Sequence, residues 1–591
     1  MTSFDNNGKY IKTNWKNGDR ITADKLNKIE ESIEAVNDND ISRHVETDTR
    51  LDALEAKVKA DSTQLADIES KTDKYIIYPN NVDDTTNIQN VLSNNKYSKL
   101  VFKEGIYFIS NPLKINRGIT IELSAGVIIK AINNCKHILT ISRANNVFIN
   151  GRGVESVIDM QRGTNSYTNE YGHAITIGRE CKNVVINNFK IINTGGDGIC
   201  IGDSSNTISP NSITIKNMII DNCNRNGISV THADNVLIDN CTIKNNNSLA
   251  PKSGIDVETN PASGDLPNSK VTNVIIRNCN VSDNGNFGIG IFYNVRNVEI
   301  LNCTTENNTT QGIVISGHSG DKGKVYDARV EDCYCKNNVR AGIEVNYSSR
   351  VNVNKCELIE NNYGLYTVLT EGFDIDNNYI SNNTSDAIHI VNGKNFNIKN
   401  NRLDYNLSGV YVKAGNSSNI LTSGNIIHNN SGDGIYVNGG IDCRVYNNII
   451  HNNSARGVII MNCNNLNIYK NTLYNNVATG ILIQGGDSHT NNIIDGNYCY
   501  DNGVYTNSTY KNNIQIHSGN RTIVRDNIVR TINNTDSVNT IGINIHTATN
   551  TLYYNNDCYQ GGSYRGISCT DATATNLGNI CKDGTYSTTN N

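Results

Sequence analysis

The most regular feature of the chain is a small residue followed by an apolar, a variable and a second apolar residue. It stands as Gly198-Ile-Cys-Ile201, Gly227-Ile-Ser-Val230, Gly254-Ile-Asp-Val257 and Gly288-Ile-Gly-Ile291, and fourteen copies run on to Gly566, most of them 22 to 30 residues apart. Each period holds two further apolar pairs, such as Asn235-Val-Leu-Ile238 followed by Asn240-Cys-Thr-Ile243. Alternation over such short runs predicts strands with one face buried. Three short strands per period, joined by Asn or Gly corners, predict an all-β fold, a right-handed parallel β-helix with three strands per turn. Turns stacked about 4.8 Å apart set equivalent residues in ladders along the axis.

The coil is expected over 111–581, with a short tail at 582–591. Before it, 76–110 reads as an entry helix, opened by Asp83-Asp84-Thr85 and carrying Ile88, Val91 and Leu92, then capping strands either side of Gly105. Residues 1–75 have a different texture. Leu26, Ile29, Ile33 and Val36, then Leu51, Leu54 and Val58, follow the 3- and 4-residue spacing of a coiled-coil seam, interrupted by Asp61. An isolated amphipathic helix is the alternative there.

Composition supports a chain that turns often. Gly numbers 48, Pro only 6, and Asn is abundant, a residue that tolerates left-handed corners. The 16 cysteines follow the repeat without CxxC spacing, which predicts buried free thiols. Cys241, Cys279, Cys303, Cys333 and Cys356 recur at the head of the third strand and predict one interior ladder. A net charge of -5 gives no case for nucleic acid. No run reaches the roughly 18 apolar residues of a membrane span. The amino end lacks the apolar core of a secretory signal, so synthesis in a cytoplasm is expected.

Chemistry concentrates in one turn. If first strands share a register, their outward residues run Cys200, Ser229, Asp256, Gly290, Val314, Glu344, Tyr366, His389, Tyr411, Tyr436. Asp256 and Glu258 then share an exposed face, about 6.5–7 Å apart at strand geometry, near the spacing of an inverting carboxylate pair. Gly290 beside Asp256 predicts a hollow, and Phe292 beside Glu258 an aromatic surface for a sugar ring. His232 lies close enough in sequence to assist, and the long 254–288 interval predicts a loop nearby. Tyr293, Glu344, Tyr366 and His389 are the further substrate-binding candidates, the tyrosines as a stacking or simply solvent-facing ladder. Calcium held by Asp203 and Asp256, with Glu258, is the competing reading of the acids; no cofactor is otherwise required.

The Asp83-Asp84-Thr85…Gln89 segment, the strand–Gly–Ile–Tyr entrance at 101–107 and the Asn/Gly-rich coils resemble the pectate-lyase-like superfamily of phage tailspikes, over about 76–581. Gly254-Ile-Asp-Val-Glu-Thr-Asn260 is similar to a motif of β-helix proteins from phages of Gram-positive bacteria, and Asn17-Gly-Asp-Arg-Ile-Thr-Ala-Asp-Lys-Leu26 to the virion-attachment module of their tail appendages. The resemblance implies a homotrimeric receptor-binding spike, made in the host cytoplasm and carried on the virion. It would join other tail or neck proteins through 1–75 and act at the bacterial surface on a cell-wall glycopolymer such as teichoic acid or a capsule. The paired-Asp and Gly-His-Gly signatures of polygalacturonases are missing, as is the basic cluster of calcium pectate lyases, so the bond cut stays open. Depolymerisation, with Asp256 and Glu258 as acid and base in either order and His232 assisting, stands beside a non-enzymatic adhesin and a stand-alone lyase or epimerase.

Overall fold

In the computed structural model, the described residues are 3–4, 10–11 and 74–588, less 164–168, 203–207, 260–270, 319–322, 414, 486–489, 504–511, 533–540, 560–564, 571–572 and 582–586. The chain divides into two compact units, Met1–Asp73 and Lys74–Asn591. In the first, Ser3–Phe4 and Tyr10–Ile11 pair antiparallel. The coiled-coil seam, the loop at 260–267, Asp203 and most of the 582–591 tail lie outside the described residues.

The second unit is a parallel β-coil, entered by one helix, Thr85–Ser93, whose Ile88, Val91 and Leu92 close the end of the core. One turn shows the pattern. Its first strand is Ile255–Glu258, its second Val271–Arg277 and its third Asn280–Ser282. Each pairs in parallel with its counterpart one turn back: Ile228–Val230, Ala233–Asp239 and Thr242–Lys244. The apolar pairs of every strand point into one continuous core. The first-strand register holds from Ile175 to Cys569 without slipping.

The corners explain the asparagines. Asn240, Asn278 and Asn302 turn second strands into third strands at φ of 52, 55 and 49°, a region that costs Asn less than most residues. The next residue points inward, and there the five cysteines form the expected ladder, all within 2% of full burial. The row then continues as buried asparagines from Asn378 onward. Cys356 N donates to Asn378 Oδ1 at 2.9 Å, and Asn378 N to Asn401 Oδ1 at 2.9 Å. The Asn378 amide thus satisfies Cys356 N and Val353 O of the preceding turn, groups a dry core would strand. All sixteen cysteines are free thiols.

Candidate functional site

The turns around Gly254 bring four ionisable side chains together, Asp256 and Glu258 on a first strand and Asp197 and Arg225 just before first strands. Asp256 pairs in register with Ser229 behind it and Gly290 ahead, and Glu258 with Phe292. Asp256 is only 1% exposed, where the alternation predicts a water-facing side chain. What covers it is the row of residues standing just before each repeat glycine. Asn226 Nδ2 donates to Asp256 Oδ2 at 3.0 Å and to Ser229 Oγ at 3.0 Å. The side chain that reaches Asp256 from the preceding turn is thus Asn226; His232 is buried just beyond that turn's strand.

One turn further back, Asp197 is fully buried. Arg225 Nη1 donates to its Oδ1 and Oδ2 at 3.1 and 3.0 Å, and Asn226 N to Oδ1 at 3.0 Å. Burial pushes the Asp256 carboxyl well above the usual range, the charge of Glu258 pushes it further, and Arg225 opposes both. Burial also raises Glu258, again against Arg225. Glu258 is half-buried and reaches solvent. Burial thus favours the protonated form of both acids, and the nearby guanidinium the ionised form.

The hollow expected at Gly290 is filled. The Phe287 and Phe292 rings, 5.0 Å apart at 57°, occupy the space a side chain there would take. Tyr293 lies 6.0 Å from Phe292, and His318 6.2 Å from Tyr293. These tilted rings form an aromatic cluster beside Glu258.

Three and more turns ahead lie Glu344, Tyr366 and His389. Glu344 is buried and held by Gln311 Nε2 at 2.6 Å, Asn346 Nδ2 at 2.6 Å and Arg340 Nε at 2.7 Å. His389 Nδ1 bonds Asp386 Oδ2 at 2.7 Å. Tyr366, His389, Tyr411 and Tyr436 stack face to face, with centroids 5.2, 4.8 and 4.6 Å apart and planes within 19°. Arg340 lies over the Tyr366 ring at 5.4 Å. Ring faces are therefore spent on one another, and only edges and hydroxyls are left for a ligand.

Of the acids read as calcium ligands, Asp256 accepts from Asn226 at one oxygen and has the charge of Arg225 nearby, while Asp203 lies outside the described residues. Among the described residues, His173, Asp197 and Cys200 place ligand atoms within 4.8 Å of one another, but Arg225 already neutralises Asp197.

Sequence reasoning missed Arg225 and Asn226. The signal was available one and two positions upstream of each repeat glycine, where Asp197, Asn226, Ser253 and Phe287 form a ladder of their own.

The profile of the family described as right handed beta helix region matches residues 180–378 and 368–514, together more than half of the chain. The chain belongs to that family. One curated relative, the uncharacterized protein YclG of Bacillus subtilis (strain 168), is 37% identical over 119 residues, or 19% of this chain and 20% of its own length. The chain thus matches about a fifth of that relative. Similar solved structures include pectate lyase Pel9A, at 13% identity over 59% of this chain and 78% of that one, TM-score 0.35. The alginate lyase of Paenibacillus sp. str. FPU-7 is 13% identical over 50% and 97%, TM-score 0.36. The pre-mature bacteriophage phi29 gene product 12 is 11% identical over 85% and 71%, TM-score 0.36. Likeness at this level says nothing about activity.

Proposed function

We propose that the protein binds and depolymerises a bacterial cell-surface glycopolymer, as a homotrimeric tail appendage of a phage of Gram-positive bacteria. The observation that carries the enzymatic part is the acid pair, Asp256 buried and proton-holding, Glu258 at the surface two residues on. Glu258 is the group that touches substrate and acts as base toward water or the polymer. Asp256, which is buried, supplies its proton through Glu258, the one of the two that reaches solvent. Arg225 and Asn226 are positioning residues, one setting the charge balance and the other the Asp256 rotamer. Phe292 and Tyr293 border the sugar subsite, and no bound metal is required. Residues 1–75 serve as the attachment region to the virion's tail or neck.

The test is polymer length. Purified wall polymer is incubated with parent protein or with Asp256→Asn/Glu258→Gln and sized by chromatography. Shortening by the parent and none by the double variant supports the reading; equal shortening by both removes this site from consideration.

A reversible, non-enzymatic adhesin is the second reading. What favours it is the near-complete burial of Asp256 and the phenyl rings filling the space at Gly290. Cell binding by the parent without any shortening of the polymer selects it.

A further inference from the structure

The second strands of six consecutive turns, on a different face from the acid pair, line up in a shallow trough. Its floor is Leu421, Arg444, Asn467, Ile493, Ile523 and Leu552, paired turn to turn. Two residues before each floor position stands a left-handed corner, Asn419, Asp442, Asn465, Asn491, Arg521 or Asn550, all with φ between 53 and 59°. These corner side chains bond along the axis: Asn465 Nδ2 donates to Asp442 Oδ1 at 3.1 Å, and Asn491 Nδ2 to Asn465 Oδ1 at 3.2 Å.

The trough deepens at two places. One concavity of about 300 Å³ is lined by Asn419, Leu421, Asp442 and Arg444, among others. A second, of about 220 Å³, is lined by Asn491, Ile493, Arg521, Ile523 and Asn550. Each holds one arginine, and neither guanidinium makes an ion pair or hydrogen bond among the described residues. That is not the rule nearby. Arg525 bonds Asp495 at 2.9 Å, Arg530 bonds Asp557 at 2.6 Å and Arg402 bonds Asp404 at 2.8 Å. In a chain of net charge -5, two open guanidinium groups stand about 14 Å apart, three turns along one trough; Asp442 opposes Arg444 in the first concavity but is engaged by Asn465, and Arg521 has no acid among the lining residues of the second.

We infer that this trough binds a linear anionic glycopolymer, with Arg444 and Arg521 each taking a phosphate or carboxylate group of the chain. A guanidinium offers paired donors that match either anion. Corner amides donate and accept in the way vicinal hydroxyls require, and the half-buried Leu421, Ile493, Ile523 and Leu552 accept the C–H faces of sugar or polyol units. Six turns span about 24 Å, so the ligand is a polymer segment rather than a single residue. The inference does not rest on catalysis at Glu258.

Binding of three probes to the full chain tests it: poly(glycerol phosphate) oligomers, polygalacturonate oligomers and neutral dextran. Retention of either polyanion, weakened by salt and at least tenfold weaker in Arg444→Glu/Arg521→Glu, supports the inference, and the better-held polyanion identifies the anion. Arg444→Gln/Arg521→Gln serves the same purpose should charge reversal disturb folding, which melting curves report. Shortening of wall polymer is scored on the same samples, and the arginine variants are expected to lose retention whether or not the parent shortens the polymer, so failure of the trough and failure of the acid pair are told apart. Unchanged affinity in the Gln pair, equal retention of dextran, or equal displacement by a single-stranded DNA oligomer overturns it.

Discussion

Asn226 Nδ2 sits 3.0 Å from Asp256 Oδ2 and 3.0 Å from Ser229 Oγ, so one amide from the preceding turn holds the buried acid against its strand. Its own Oδ1 accepts from Ser253 N at 3.0 Å. Asp256 Oδ1, by contrast, is buried with no hydrogen-bond partner among the described residues. The acid is fixed through one oxygen and unsupported at the other, a state that favours the protonated form.

Asp256 therefore keeps its proton to higher pH when folded than when unfolded. Between the ordinary aspartate value and the raised one, the folded state binds more protons, and stability falls as pH rises through that window. Asp256→Asn removes the loss. The variant is expected to melt several degrees above the parent at about pH 8 and together with it at about pH 3, below both values. Melting curves across pH check this; equal shifts at both ends would contradict it.

Arg225 is the counter-charge of a carboxylate with no access to water. Arg225→Met leaves buried Asp197 without its guanidinium, with Asn226 N and His173 as its remaining neighbours, and is expected to cost about 3–5 kcal/mol in denaturant unfolding. Arg225→Lys is expected to restore most of it.

The interior amides carry a comparable load. Asn448 Nδ2 donates to Thr422 O and Asn471 Oδ1, each at 2.9 Å, while its Oδ1 accepts from Asn425 N at 3.0 Å. Asn448→Leu strands two backbone groups of the preceding turn, Thr422 O and Asn425 N, for an expected loss of about 2–5 kcal/mol by chemical unfolding.

The two aromatic groups should separate by assay. Tyr411 lies between His389 and Tyr436 with both ring faces covered. Tyr411→Ala is expected to lose about 1–3 kcal/mol of stability from its two stacking contacts, with glycan affinity unchanged. Phe292→Ala, beside Glu258, is expected to weaken glycan binding several-fold. Calorimetry on both variants with wall-polymer fragments is the check.

The coil itself was legible because each Gly-Ile-x-Val run carries its strand, corner and inward pair within a few residues. The first-strand ladder from Cys200 to Tyr436 follows from that register alone. The site was less legible because burial there is set by residues outside the repeat motif. Asn226 covers Asp256, and Phe287 fills the space at Gly290, each from the position before a repeat glycine. Nor does spacing tell whether aromatic side chains at a 4.8 Å interval lie flat against a ligand or against each other; Tyr366, His389, Tyr411 and Tyr436 do the second. The continuation of the cysteine ladder by Asn378 and Asn401 escaped notice because thiol and amide share a position but not a class.

The most direct test of the acid pair is the initial rate of reducing-end release from purified wall polymer, followed against pH in the parent and in Glu258→Gln. The parent rate is expected to rise with pH through a midpoint above the ordinary glutamate range, as raised Glu258 ionises, and the variant to lack that rise and lie at least 100-fold lower on the plateau above the midpoint. A Glu258→Gln protein that releases ends at the parental rate, with the same pH midpoint, would contradict the account.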